Sequence, residues 1–325
     1  MLKSGEIRVE SAAVETMDLS KRYPGGVLAV DGLSLRIRKG EVFGFLGPNG
    51  AGKTTSIKMM VGLLKPTSGH TLINGEKIEA ASRQVKKSIG VCPQDIVIWN
   101  RLTCMENLLT IADMYEVPRK ASTERAEEML EDLKLTDKKD VLAINLSGGM
   151  KRRLNVSMAL IHDPEIVVLD EPTAGLDPQS KLVVTEYIGG LKETKRLTVI
   201  LTTHEMEIAD QLSDRVAIID HGKLLVLDTP ENLKDRIGKG DIVEITLNDK
   251  TKNKIAREAL QGLEGIQEVN EIREKIVVRA LDAVNKFPNI FKLLESKNVM
   301  VLDVSLRKNS LEDVFITLTG RGLRE

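Results

Sequence analysis

The sequence predicts an α/β fold: a core sheet built around a phosphate-binding loop, a helical subdomain inserted into it, and a small α+β domain behind it. Three observations carry this. Gly47-Pro48-Asn49-Gly50-Ala51-Gly52-Lys53-Thr54 fits the G-x-x-x-x-G-K-[ST] pattern and sits between an apolar run and a helical stretch. Ile166-Val167-Val168-Leu169 is apolar throughout, as a strand buried on both faces must be, and it ends in the carboxylates Asp170 and Glu171. Beyond residue 240 the apolar periods follow the order β-α-β-β-α-β.

Length and composition bound the answer. A chain of 325 residues has room for about two domains. With 42% hydrophobic and 29% charged residues it has a globular composition, and a net charge of -1 gives no general attraction to nucleic acid or anionic lipid. No apolar run approaches the roughly 18 residues of a membrane span, and the start Met1-Leu2-Lys3-Ser4-Gly5-Glu6 has no signal-peptide core, so any service to a membrane is expected from its cytosolic surface. Cys92 and Cys104 have no metal-ligand spacing and read as small core hydrophobes in a reducing compartment.

Residues 1–12 are polar and expected to be loose. Val14 to Leu19 reads as a strand, followed by a loop, Lys21 to Gly26, that carries Tyr23. A lone loop aromatic usually packs, but this one precedes the phosphate loop, where its ring could stack on a nucleotide base. Val42 to Leu46 reads as a buried strand and Thr55 to Leu64 as a helix stopped by Pro66. Between them the glycines let backbone N–H groups converge on phosphate oxygens, Lys53 reaches the β- and γ-phosphates, and the Thr54 hydroxyl can ligate Mg2+. Thr71 to Ile73 and Ile89 to Val91 read as strands, the second leading to Gln94, which could ligate a metal, orient a water or simply be solvated. Asp95 to Leu102 is apolar and contains the only tryptophan, Trp99, either as core or as a docking surface.

Met105 to Leu135 has a helical pattern with a charged outer face, Thr123 to Glu128, and falls in a helical subdomain at about 95–160. It leads to Leu146-Ser147-Gly148-Gly149-Met150, where Ser147 is placed to cap a helix running to about Ile161; the free N–H groups of that first turn suit an anion. Ligands gather at the carboxyl ends of strands in open α/β sheets, so Asp170 fits a Mg2+-associated acid and Glu171 a base that activates water. Asp177 lies in the turn into a helix over Gln179 to Lys192. The strand Thr198 to Thr202 ends at His204, whereas His70, His162 and His221 read as ordinary surface or turn residues.

These segments in this order resemble the nucleotide-binding subunit of ABC transporters over residues 14–236. The most specific element is Leu146 to Met150, followed by Leu169-Asp170-Glu171 and His204 at the family's spacing; Met150 stands where glutamine is frequent. The resemblance implies a P-loop NTPase (ABC ATPase) domain over 13–237 that binds ATP and Mg2+. Gly47, Asn49, Gly50, Gly52, Lys53, Thr54 and Thr55 would cradle the triphosphate and Tyr23 would stack on adenine. Gln94 and Asp170 would belong to the Mg2+ and water network, with Glu171 as general base and His204 sensing the γ-phosphate. It further implies two identical or related subunits closing head to tail, so that Ser147, Gly148 and Gly149 complete the partner's site and Asp177 lies in a loop that crosses to it. An integral membrane permease would dock near Gln94 to Leu102.

Ile237 to Gly240 marks the expected boundary before an accessory domain over 241–325, expected to be ferredoxin-like. Its fourteen basic and fourteen acidic residues argue against a nucleic-acid grip. Its closing Asn309 to Phe315 has an N-cap and helix pattern, and resembles the end of the ATPase subunits of ABC-2 type drug and antibiotic exporters. The expected function is therefore an ATPase powering an exporter of drugs, lipids or other small hydrophobic compounds. A soluble ABC ATPase of DNA repair or of ribosomes is the alternative. Only 94 residues separate Lys53 from Ser147, which leaves no room for a long coiled coil.

Overall fold

The computed structural model describes residues 11–193, 197–237, 240–272, 274–281 and 283–320. Most of the expected loose segment at 1–12, and Gly238 and Lys239 of the expected boundary, lie outside the described residues. Contacts divide the chain into two compact units, the second beginning at Glu231.

In the first unit β1 (Ala12–Arg22) and β2 (Leu28–Arg38) pair as an antiparallel hairpin, and β3 (Val42–Leu46) runs into the phosphate loop and α1 (Lys53–Met60). There follow β4 (Ser68–Ile73), β5 (Glu76–Lys77), α2 (Arg83–Lys87) and β6 (Ile89–Cys92), then α3 (Cys104–Met114), α4 (Arg119–Asp132) and α5 (Gly148–Leu160). β7 (Ile166–Asp170), α6 (Pro178–Glu193), β8 (Thr198–Thr203), α7 (Met206–Leu212), β9 (Arg215–Asp220) and β10 (Lys223–Asp228) complete it.

The central sheet has the order β10-β9-β3-β8-β7-β6 and is parallel except at β10; β2-β1-β4-β5 form a second, antiparallel sheet. Side-chain alternation explains why the central strands are apolar on both faces. Phe43, Phe45, Ile166, Val168 and Ile200 join the core shared with α1 and the antiparallel sheet. Their neighbours Val42, Val167, Leu169, Val199 and Leu201 join a separate core with the helices α3 to α7. All three strands ending at the site, β3, β7 and β8, are buried along their full length.

Two helices differ from expectation. The pattern over Met105 to Leu135 is split into α3 and α4, because Pro118 tolerates only the first turn of a helix and Glu116 turns into the left-handed region at φ 62°. Helix α1 starts at Lys53 rather than Thr55 and ends at Met60, since Gly62 at φ 75° breaks the spiral before Leu64. Cys92 and Cys104 are buried, and burial pushes both thiols up to about 11, as expected of inert core residues.

The second unit opens with α8 (Pro230–Arg236) and continues β11 (Asp241–Leu247), α9 (Asn253–Gln261), β12 (Ile266–Ile272), β13 (Lys275–Ala280), α10 (Ala283–Ser296), β14 (Val301–Arg307) and α11 (Leu311–Thr319). Its sheet is antiparallel with the order β12-β13-β11-β14, the ferredoxin-like arrangement that the β-α-β-β-α-β pattern predicts. The unit begins ahead of Ile237 because its own side chains hold the connecting segment: Arg279 donates to the Ile237 carbonyl at 2.5 Å and Asn309 to that of Lys234 at 3.4 Å.

Candidate nucleotide site

The phosphate loop leaves the buried end of β3 and enters α1 through Gly52. This residue sits at φ 99°, and a Cβ there would fall 2.3 Å from the Ala29 carbonyl oxygen, so both backbone and space require glycine. Lys53 is 6% exposed and folds back over the loop, its Nζ donating to the carbonyls of Gly47 at 2.7 Å and Pro48 at 3.3 Å. The same Nζ lies 3.2 Å from Glu171 Oε1.

Glu171 follows the last residue of β7 and adopts φ 50°. Its N–H donates to Thr202 Oγ1 at 2.9 Å, and its other carboxylate oxygen, Oε2, lies 2.7 Å from Nδ1 of His204 at the end of β8. Thr202 in turn donates to Asp170 Oδ1 at 2.6 Å. The parallel register that pairs Asp170 with Thr202 therefore brings both acids and the histidine to the carboxyl ends of two adjacent strands.

A cleft of about 320 Å³ opens there, lined by Asn49, Gly50, Gly52, Lys53, Thr54, Thr55, Gln94 and Glu171 together with Ala29 and Pro48. Tyr23 stands at its edge, its hydroxyl 3.4 Å from Thr55 Oγ1 and its ring 37% exposed. Backbone N–H groups, one lysine and oxygen donors around a concave site suit a polyphosphate.

Ser147, Gly148, Gly149 and Asp177 do not line this cleft. Ser147 caps α5 by accepting from the Met150 N–H at 3.3 Å. Asp177 accepts from the Ser180 N–H at 2.9 Å, and this bond holds its carboxyl below the usual range. Sequence reasoning also missed two residues behind the site, Thr202 and the buried Arg152. The signal for Arg152 was its spacing: it shares a helical face with Val156 and Ala159, both core residues.

A phosphate loop after β3, a histidine after its neighbour β8 and an acid pair at the end of β7, the next strand across, together define a P-loop nucleoside-triphosphate hydrolase. The ABC transporter family model matches residues 30–174, and that of the ATP-binding protein DrrA1-3-like C-terminal domain matches residues 229–319. Over 314 residues the chain is 36% identical to the linearmycin resistance ATP-binding protein LnrL of Bacillus subtilis (strain 168), covering 96% of this chain and 100% of that one. It is 35% identical over 313 residues to the Nod factor export ATP-binding protein I of Sinorhizobium fredii, covering 96% and 88%. A solved dimeric, post-hydrolysis ATP-binding cassette bound to ADP and Pi superposes with a TM-score of 0.60 at 26% identity, covering 66% of this chain and 98% of that one. The chain belongs to the ATP-binding subunits of ABC transporters, in the branch of the ABC-2 type exporter ATPases. It is an ATP hydrolase, and ABC ATPases work as dimers with a separate membrane permease.

Proposed function

We propose that this chain is the motor subunit of an exporter for drugs, lipids or other small hydrophobic compounds, acting on the cytosolic face of the membrane. The observation that carries this is the end-to-end similarity to a resistance subunit, 96% of this chain against 100% of LnrL, accessory unit included. A soluble ATPase of DNA repair or of ribosomes is not favoured, since LnrL and the Nod factor export protein, each matched over 96% of this chain, are named for resistance and export. Among the described residues no helix is long and apolar enough to cross a membrane; the transport path is assigned to the separate permease with which ABC ATPases work.

In this reading Gly47 to Thr55 cradle the triphosphate, Tyr23 stacks on adenine, Glu171 takes the proton of the attacking water and His204 senses the γ-phosphate. Thr54, Gln94 and Asp170 are the ligands expected for Mg2+. Their hydroxyl, amide and carboxylate oxygens suit a hard cation. When bound, the ion neutralises charge developing on the transferred phosphoryl group. Ser147, Gly148 and Gly149 lie outside their own chain's cleft, which supports their serving a partner's nucleotide, with Asp177 in the crossing loop. Closure over ATP and release after hydrolysis then drive the permease through differential binding of two states.

Docking is assigned to Gln94 to Leu102. Ile96, Val97 and Trp99 are exposed there, and the Ile144 N–H donates to the Asn100 carbonyl at 3.0 Å, bringing exposed Ile144 alongside. The test is reconstitution with a multispan membrane protein, sought first in the reading frames adjoining that of this chain. ATP-driven movement of an amphiphilic dye across vesicles, lost with Lys53→Ala, is expected; no association with any membrane protein would overturn the reading.

A further inference from the structure

Arg152 is buried at 2% exposure on α5, five residues after Ser147. Among the described residues no carboxylate lies within ion-pair distance of it. All of its bonding capacity goes to main-chain carbonyls instead. Its Nε donates to Pro172 at 3.1 Å, one terminal nitrogen to Pro93 at 2.7 Å and Gln94 at 3.0 Å, and the other to Asp170 at 2.6 Å and Glu171 at 2.7 Å. Five N–H donors meet five acceptors, which is how a buried cation escapes the penalty of leaving water.

These carbonyls belong to two separate segments, the turn after β6 and the turn after β7. One planar fork therefore sets the Gln94 backbone against the Asp170-Glu171-Pro172 backbone. Glu171 needs such support because φ 50° is disfavoured for any residue with a side chain. On its amino side, the Glu171 N–H is held by Thr202 Oγ1 at 2.9 Å and by the Thr202 carbonyl at 3.2 Å. On its carboxyl side, the carbonyl accepts from Arg152 at 2.7 Å and, within its own turn, from the Ala174 N–H at 3.2 Å.

We propose that Arg152 and Thr202 are positioning residues that clamp Glu171 from its two ends, with Arg152 tying Gln94 and the Ser147 helix into the same geometry. The inference rests on Glu171 as the base. A rigid fork is required for this: an ammonium at the same place has three donors on a flexible stem and cannot span both turns. If the clamp opens, Glu171 relaxes toward the right-handed region and its carboxylate leaves Lys53 and His204.

The test measures ATP affinity, and phosphate release per nucleotide-binding site, in the full chain carrying Arg152→Lys or Thr202→Val. Both variants should keep KM and lose kcat, the lysine variant by about 10²-fold, the scale for displacing a catalytic group by about 1 Å. Thr202→Ser, which keeps the hydroxyl, should restore the rate. Because both changes release the same residue, the double variant should lose less than the product of the single losses. Should Arg152→Lys fail to fold, Thr202→Val, an isosteric change inside a strand, decides at saturating Mg2+: a kcat loss that persists there supports the clamp on Glu171, and one that Mg2+ abolishes belongs to the lost Asp170 bond and overturns it. Unchanged kcat per binding site, or a loss confined to KM, would overturn the clamp while leaving Glu171→Gln inert. Full turnover by Glu171→Gln would remove the base assignment and the clamp with it.

Discussion

Lys53 Nζ lies 3.2 Å from Glu171 Oε1, and both side chains are buried. The lysine proposed to hold phosphate and the proposed base thus pair with each other in the cleft that they line. A triphosphate carries several negative charges, so it outcompetes one carboxylate for the lysine, and Glu171 is then left with His204, 2.7 Å from its other oxygen. In the proposed reading, nucleotide binding and release of the base are one electrostatic event.

Replacing Glu171 with Gln separates the two. Turnover should fall by about 10² to 10⁴-fold, the contribution of a positioned general base, while ATP binding persists and a nucleotide-bound dimer accumulates. The lysine also loses its ionic partner, and breaking a buried pair costs about 3–5 kcal/mol, so the variant should gain more thermal stability from ATP than the parent does. Phosphate release, light scattering and melting with and without ATP check the three outcomes. Retained hydrolysis would end the assignment of Glu171 as base.

The apolar loop supplies a second expectation. Trp99 is 39% exposed, but its backbone is fixed: its N–H donates to Asn107 Oδ1 at 2.8 Å and its carbonyl accepts from Asn107 Nδ2 at 3.1 Å. The loop holds its shape without the indole. Trp99→Ala should therefore leave ATP affinity intact and weaken binding to the membrane subunit by more than about 1 kcal/mol, as for an interface anchor. An unchanged pull-down would return the ring to a packing role.

How far the sequence reached depended on the range of the signal. β3, β7, the cap at Ser147 and the ferredoxin-like order were legible because apolar period and capping chemistry are local. The bond from Arg152 to Glu171 spans 19 residues and that from Arg152 to Pro93 spans 59, and no local pattern encodes such contacts. A charged residue in a helix ordinarily marks a solvated face, which hid Arg152. Pro118 was the local sign that α3 and α4 are separate, masked by continuing helical periodicity on both sides.

In the second unit Arg307 donates to Asp313 at 2.6 and 2.9 Å and to Glu244 at 2.7 Å. Burial pushes the Asp313 carboxyl up, but bonds from Arg307 and Ser310 outweigh it and hold the group below its ordinary range. With the folded value below the unfolded one, the stabilisation is complete above about pH 4 and is lost as pH falls through the folded value. Asp313→Asn should thus lower the melting temperature at pH 7, and the gap to the parent should narrow as the pH falls below about 4. A gap independent of pH would show that the carboxylate's charge is not what Arg307 requires.

Gly148 and Gly149 make a paired prediction that isolates the partner's contribution. A Cβ at Gly149 would lie 2.3 Å from Ser180 Oγ and 3.1 Å from Asp177 Oδ2, so Gly149→Ala must displace α6 within its own chain. A Cβ at Gly148 meets nothing within 4 Å and the residue, first in its helix, is not in the positive-φ region, so Gly148→Ala should leave the single subunit as stable or slightly more stable. Loss of ATP-induced dimerisation in Gly148→Ala would then come from a group outside this chain, which is what a triphosphate held by the partner requires. Unimpaired dimerisation and turnover in Gly148→Ala would rule out close approach of a partner's phosphate to that helix tip, whereas a melting temperature lowered in Gly149→Ala and recovered with Ser180→Gly would assign the second glycine to packing within the subunit.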